Sequence, residues 1–321
     1  MAKKELPYYL NVFGKLRRDH KNGGAPHKPI LLISLCEAIA NGLINKKQIY
    51  ISPEIVGLFK SNWNSLVVTN HQCLFALPFY HMNSEPFWRL TPNKGCELWV
   101  KSKSSMRSLQ NLTIAINYAE IDLDLFEILQ QKENNEIVKQ FILDKYFPDT
   151  KGNYGKSSYL TDIESQIVNE DSETYSTRIT ELQKQLEENS YQEEIFVRSN
   201  VFKREIPKIY NQTCCISGLR IDSIINISMI DACHIIPFSE SNNDTITNGL
   251  ALCPNLHRAF DRGLISIDEN YRVLISTKFS ENKTDYSLTQ FRSKQIQLPI
   301  EQRFYPSLEN IRWHNINTFK G

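Results

Sequence analysis

Nowhere in these 321 residues do eighteen apolar residues run together, so no membrane-spanning helix is expected. Lys3 and Lys4 near the N-terminus are not followed by an apolar stretch, which argues against a secretory leader. No internal repeat is visible. The seven cysteines, at positions 36, 73, 96, 214, 215, 233 and 253, are scattered and odd in number. They exclude a fully paired disulfide framework and read as the reduced thiols of a cytoplasmic protein. Net charge is nearly absent too, with 37 Lys and Arg against 36 Asp and Glu.

That balance would argue against a nucleic-acid partner if the charges were evenly spread, and they are not. Residues 1–60 carry 10 basic against 4 acidic side chains, residues 161–195 carry 2 against 10, and residues 196–321 carry 15 against 12. Binding phosphate needs local rather than global positive charge, so either flanking block could face DNA. The acidic segment between them should avoid it.

The chain is long enough for two domains, and the patterns divide it near residue 150. Helical spacing of apolar residues runs from Pro7 to Arg18 and from Pro29 to Asn41, the latter stopped by Gly42. Cys73–Pro78, Phe87–Leu90 and Cys96–Val100 read as short strands broken by prolines. Helical patterns return over Met106–Tyr118, Leu123–Gln131 and Glu136–Tyr146. Residues 149–158 have linker composition. Between Tyr159 and Asn189, Ile163, Ile167, Ile179, Leu182 and Leu186 fall on one helical face with acids on the others. This predicts amphipathic connector helices, with a short coiled-coil seam as the alternative. A helix from Val197 to Tyr210 and strand-and-turn sequence then lead into the most informative region. The expected fold is α+β, with an N-terminal α+β domain over 1–150, an acidic helical connector over 151–195 and a C-terminal domain over 196–321.

That region reads Asp231-Ala-Cys-His234-Ile-Ile-Pro237, then Asn248-Gly249-Leu250, then Leu256-His257-Arg-Ala-Phe-Asp261. Hydrolysing a phosphodiester needs a base for water, a cation to absorb developing charge, and a group that holds the base. His234, His257 with nearby carboxylates, and Asn248 are side chains of those three kinds. The segment resembles the HNH endonuclease family, built as a ββα-metal finger, and Cys215-Ile-Ser-Gly218 and Gly263-Leu-Ile-Ser-Ile267 extend the match. The resemblance implies that His234 is the general base, that Asn248 fixes its orientation, and that His257 ligates one divalent cation, Mg²⁺ or Mn²⁺. Many members place a metal-binding Asp or His just before the base, where this chain has Cys233. A thiol is a poor ligand for Mg²⁺. Residues two apart on a strand share a face, so Asp231 is expected as the carboxylate ligand, with Asp261 as its competitor or as a brace for His257. A structural zinc is not expected, because Ser217 stands where a Cys-x-x-Cys pair from Cys214 would close and Cys253 has no cysteine partner nearby.

In the N-terminal block, Gly23-Gly-Ala-Pro-His27-Lys28-Pro-Ile-Leu-Leu32 delivers His27 and Lys28 to a helix start, a natural anion site. Leu77-Pro78-Phe79-Tyr80-His81 and Pro86-Phe-Trp-Arg89-Leu90 follow. Together these resemble the sulfur-binding domain of phosphorothioate-dependent restriction endonucleases, which precedes an HNH domain in the same order. The resemblance implies double-stranded DNA as partner, with Pro78, Phe79, Tyr80 and Pro86 as walls of a sulfur pocket. His27, Lys28, His81 and Arg89 would steer the backbone. Sulfur accepts hydrogen bonds poorly, so a pocket of proline and aromatic edges holds it at low cost. An ordinary phosphate oxygen desolvated there without a partner would lose ~1–3 kcal/mol. Two other readings stand beside this one. A methylated or hydroxymethylated base could be held in a cage of Trp63, Trp88 and Trp99, or the finger could be a degenerate one in a DNA-binding regulator. Cutting both strands would need two fingers, hence a homodimer or two binding events.

Overall fold

The computed structural model describes residues 3–20, 23–221 and 228–321, and the fold is α+β. Two compact units emerge. One comprises Met1–Asp162 with Leu186–Val197, and the other Ile163–Gln185 with Arg198–Gly321.

The first unit is organised around α2 (His27–Ala40), whose Ile30–Cys36 run is buried on every side. A helix apolar all round belongs in a core, and α2 packs against α3 (Pro53–Leu66) and α7 (Lys132–Tyr146). Ser52 caps α3 by accepting from the Ile55 amide, and Pro53 occupies the first helical turn. Around this core lie α1 (Leu6–Phe13), α4 (Ala76–His81), α5 (Leu109–Ala115) and α6 (Leu123–Gln130). A three-stranded antiparallel sheet runs in the order β1 (Gln48–Ile49), β3 (Ile116–Ile121), β2 (Trp88–Pro92).

Three expectations are corrected in this unit. Cys73–Pro78 is not a strand. Its second half opens α4, where the buried Glu193 carboxylate accepts from the Phe75 and Ala76 amides at 2.9 and 3.0 Å. Those helix-start amides have no partner within the helix, so a long-range acid decided the local structure. Met106–Tyr118 is not one helix, because the chain leaves α5 at Ala115 and becomes β3, the central strand, with Ile116, Ala119 and Ile121 buried. Cys96–Val100 turns into a single 3₁₀ turn at Trp99–Lys101 rather than a strand. Phe79 and Trp88 meet edge-on at 5.3 Å, and Phe75 lies 5.5 Å from Phe79, so these aromatics are core.

The acidic stretch is helical, as α8 (Tyr159–Asn169), α9 (Ser172–Gln185) and the start of α10 (Glu188–Ile209). Its residues are shared between the two units rather than standing apart. Ile163, Ile167, Tyr175 and Ile179 are buried in the second unit, and Tyr191, Glu193 and Glu194 in the first.

The second unit contains β4 (Asp231–His234), α11 (Phe238–Ser241), β5 (Gly249–Leu252), α12 (Pro254–Asp261), β6 (Ile265–Ile267), β7 (Val273–Ile275) and α13 (Leu308–Asn317). Of the strand-and-turn sequence expected after Tyr210, Thr213 bridges Arg220, and residues 222–227 lie outside the described residues. Gly263 ends α12 with φ of 69°, and a Cβ there would collide with the Thr318 carbonyl, so only glycine closes this helix against the C-terminal segment.

α13 braces α12 through His314, which is 1% exposed and stacks on Phe260 with ring centres 3.8 Å apart. Its Nδ1 meets Ser266 Oγ at 2.8 Å, and its Nε2 meets the Phe260 carbonyl at 3.2 Å. Burial pushes this imidazole down from 6.5 to about 4, so the folded unit holds it neutral. Between those two values the unfolded chain binds the extra proton. The contribution is therefore complete above pH 6.5 and is lost as pH falls toward 4, roughly 3 kcal/mol in all. Urea unfolding at pH 7 and pH 4.5 is expected to show a large loss of stability for the wild type and a shallower loss for His314→Gln. Equal losses would contradict this role.

Candidate active site

β4 and β5 pair antiparallel, with Asp231 opposite Leu252 and His234 opposite Gly249, and α12 follows directly from β5. Leu256, Ala259 and Phe260 bury one face of α12, which leaves His257 and Asp261, four apart, side by side on the other. Alternation along β4 sends Asp231 and Cys233 to that same helix and His234 the other way.

On the α12 side the His257 ring lies between two carboxylates. Asp231 Oδ2 is 3.4 Å from Nδ1, and Asp261 Oδ2 is 3.5 Å from Nε2. Cys233, fully buried behind them, sends its Sγ–H toward Asp261 Oδ1 at 3.8 Å. Burial, then the Asp261 charge, raises the pKa of this thiol. Cys233, His257 and Asp261 each offer a donor atom within 4.8 Å of the others, the one such trio of His, Cys and acidic side chains among the described residues. The sequence reading favoured Asp231 over Asp261 as cation ligand. The structure gathers Asp261 into the trio and puts Asp231 on the opposite nitrogen of the same imidazole.

On the other side, His234 Nε2 meets Asp244 Oδ1 at 2.7 Å, and Phe202 stacks on the ring at 4.0 Å and 9°. A carboxylate only accepts, so Nε2 of the neutral ring carries the proton and Nδ1 keeps the lone pair. Asp244 is fully buried, and its Oδ2 has no hydrogen-bond partner among the described residues. Asn248, also fully buried, does not touch the His234 ring. Its Oδ1 accepts from the Ile236 amide at 3.0 Å, and its Nδ2 donates to the Ile236 and Asn243 carbonyls, both at 2.9 Å. It clamps the backbone beyond the histidine, while Asp244 and Phe202 hold the ring. Gly249 matters here for its lack of a side chain, because a Cβ would collide with Ile206 beside Phe202. Asp244 and Phe202 were not singled out from the sequence. Asp244 follows Asn242-Asn243 in a polar stretch that gives no sign of burial, and Phe202 comes from a helix far along the chain.

The other cysteines of this unit make a smaller group. Cys214 accepts from the Ser217 amide at 3.5 Å. A hydrogen bond from Cys253 lowers the Cys214 thiol and raises that of Cys253.

In the first unit, His27, Lys28, Pro78 and His81 line a cavity of about 630 Å³, together with Arg17, Arg18, His71, Leu77, Lys103 and Arg107. His27 donates from Nε2 to the Gln72 carbonyl, 2.9 Å away, and sits edge-on to Trp63 at 4.7 Å. Burial lowers it to about 4, so it is uncharged at neutral pH. Lys28 is not a free cation, because its Nζ is 2.5 Å from Glu85 Oε1 and 2.8 Å from Ser84 Oγ. Positive charge comes instead from exposed Arg17, Lys103 and Arg107, which make no ion pair among the described residues. Four expected residues do not line this cavity. Phe79 is core, Tyr80 donates to the Val100 carbonyl at 2.7 Å, Pro86 is exposed elsewhere, and Arg89 pairs with Asp122 at 2.8 Å. Trp88 is buried in the core, and neither Trp63 nor Trp99 lines the cavity, so the tryptophans form no cage there.

No curated protein matches the chain. A solved structure described as a modification-dependent TagI restriction endonuclease shares 23% identity, covering 37% of each chain with a TM-score of 0.28. The family described as HNH endonuclease matches residues 214–268, which span β4, β5 and α12 with both histidines and all the carboxylates around them. The chain therefore carries an HNH endonuclease domain at residues 214–268.

Proposed function

We propose that this chain is a modification-dependent restriction endonuclease of the cytoplasm that recognises phosphorothioated double-stranded DNA through residues 1–150 and cuts nearby with its HNH domain. The observation that carries the reader assignment is the first unit's cavity. Leu77 and Pro78 give it an apolar wall, His27 is neutral, and Arg17, Lys103 and Arg107 give it a cationic rim. An apolar wall accepts sulfur without desolvating a strong acceptor, while the rim engages neighbouring phosphates regardless of sequence.

At the HNH site, His234 Nδ1 takes the proton from an attacking water. Asp244 holds the ring in that tautomer and opposes the charge it acquires. The side chains where β4 meets α12 fit one divalent cation, since the Cys233 thiol and the His257 imidazole and Asp261 carboxylate donors converge there. When bound, it supplies Lewis-acid stabilisation of charge on the phosphate oxygens. Asn248 keeps the strand end and the Asp244 loop in register. One finger cuts one strand, so a double-strand break needs a second copy.

The test uses full-length His234→Ala protein, so that binding is read without cleavage. It is expected to bind a phosphorothioated duplex more tightly than a plain or methylated duplex of the same sequence. Arg107→Glu in that background should weaken binding to all three and reduce the salt dependence by about one phosphate contact. Equal affinity for plain and phosphorothioated duplexes would overturn the reader assignment, and preference for the methylated duplex would replace it with a base reader.

A further inference from the structure

We infer that Cys233 is a cation ligand and that the catalytic site therefore takes a borderline, thiophilic divalent cation of the Zn²⁺ class rather than Mg²⁺. This rests on the HNH reading of the site and concerns the ion it selects. Three different donor atoms meet within 4.8 Å, the Cys233 sulfur, an imidazole nitrogen of His257 and a carboxylate oxygen of Asp261. They come from a strand and a helix that pair residues 233 and 250 and then place 257 and 261 on successive turns. The position is therefore set by backbone structure and not by mobile side chains. Cys233 has no exposed surface and is fixed by the β4–β5 ladder, with its sulfur 3.8 Å from Asp261 Oδ1.

Donor chemistry then selects the ion. Mg²⁺ is hard, prefers an octahedron of oxygens and gives up water reluctantly, so a buried sulfur offers it nothing. Thiolate, imidazole and carboxylate in a three-donor group with one side open match a tetrahedral catalytic zinc-type site. Binding displaces the thiol proton to solvent as the sulfur–metal bond forms. Asp231, 3.4 Å from His257 Nδ1, is then placed to accept from that nitrogen and to orient the ring so that Nε2 faces Asp261. The disagreement with Mg²⁺ is thus confined to one residue, and the rest of the group would serve either ion.

Co²⁺ reports sulfur ligation directly through thiolate-to-metal charge-transfer absorption in the near ultraviolet. Metal-stripped full-length protein titrated with Co²⁺ alone is expected to develop this absorption at one equivalent and to keep it in about a hundredfold excess of Mg²⁺, a preference of roughly 3 kcal/mol or more. The absorption should vanish in Cys233→Ser, which keeps the side-chain volume, and in Cys233→Ala. It should persist when both Cys214 and Cys253 are serine, which excludes the other thiol pair as its source. Absorption that survives both Cys233 variants, or never appears, overturns the proposal. If the protein nicks plasmid with Mg²⁺ while showing no charge transfer, the nuclease reading stands and the cation assignment falls. If charge transfer appears at Cys233 but no cation supports nicking, the assignment stands and the nuclease reading falls.

Discussion

Replacing His234 with alanine is expected to lower the rate of plasmid nicking by about 10²–10⁴-fold, the range a positioned general base contributes, while leaving DNA affinity unchanged. The ring is stacked on Phe202 and tied at Nε2 to a buried carboxylate, so only Nδ1 is available to a water. The same geometry makes a second expectation sharper. Asp244→Asn offers an amide of nearly the same shape, but its NH₂ donates and drives the proton to the other ring nitrogen. The variant should fold and bind DNA like the wild type and lose turnover, with kcat falling and KM unchanged, on the order of 10²–10⁴-fold as wrong-tautomer substitutions do. Asp244→Glu, which restores an acceptor, should recover part of the rate. If Asp244→Asn retained full turnover, Asp244 would be a packing residue and the base would be oriented by Phe202 and the backbone alone.

The sequence was most informative where a residue's role depends on short spacing. His257 and Asp261 share a helix face because they are four apart, and Asp231 and Cys233 share a strand face because they are two apart. The structure brings these four together as the periodicities require. The roles within the group were less legible, since spacing cannot say which ring nitrogen faces which acid. Long-range partners were invisible. Phe202 and His314 act on the finger from distant segments and Asp244 from a polar loop within it, and a mid-helix phenylalanine, a C-terminal histidine and a loop acid carry no local mark of these roles. The same limit explains the misread strand at Cys73–Pro78, where Glu193 supplies the acceptor that starts α4. In the first unit, His27, Lys28, Pro78 and His81 do line one cavity. However, Glu85 neutralises Lys28, and the rim charge comes from Arg17, Lys103 and Arg107. Two short motifs located the cavity but did not identify which cations remain free.

Removing the helix histidine should be as costly as removing the base. His257→Ala deletes the one side chain that contacts both acids of the site, leaving Asp231 and Asp261 facing each other across an open space. Stabilising charge on a transferring phosphate is worth several kcal/mol at a metal centre, so nicking is expected to fall on the order of 10³-fold at cation concentrations that saturate the wild type. The two carboxylates should then separate by role. Asp261→Asn removes a member of the donor trio and should behave like His257→Ala, with cation affinity measured by titration calorimetry falling beyond about 100-fold. Asp231→Asn removes a carboxylate that supports Nδ1, so cation affinity should fall by only ~10–100-fold and added cation should restore nicking. Neither substitution alters a packed core, since both acids are half-exposed or more, and melting temperatures should change little. The reverse ranking, with Asp231→Asn unrescued and Asp261→Asn rescued, would move the carboxylate ligand from the helix to the strand. It would leave Asp261 as the group that orients the ring.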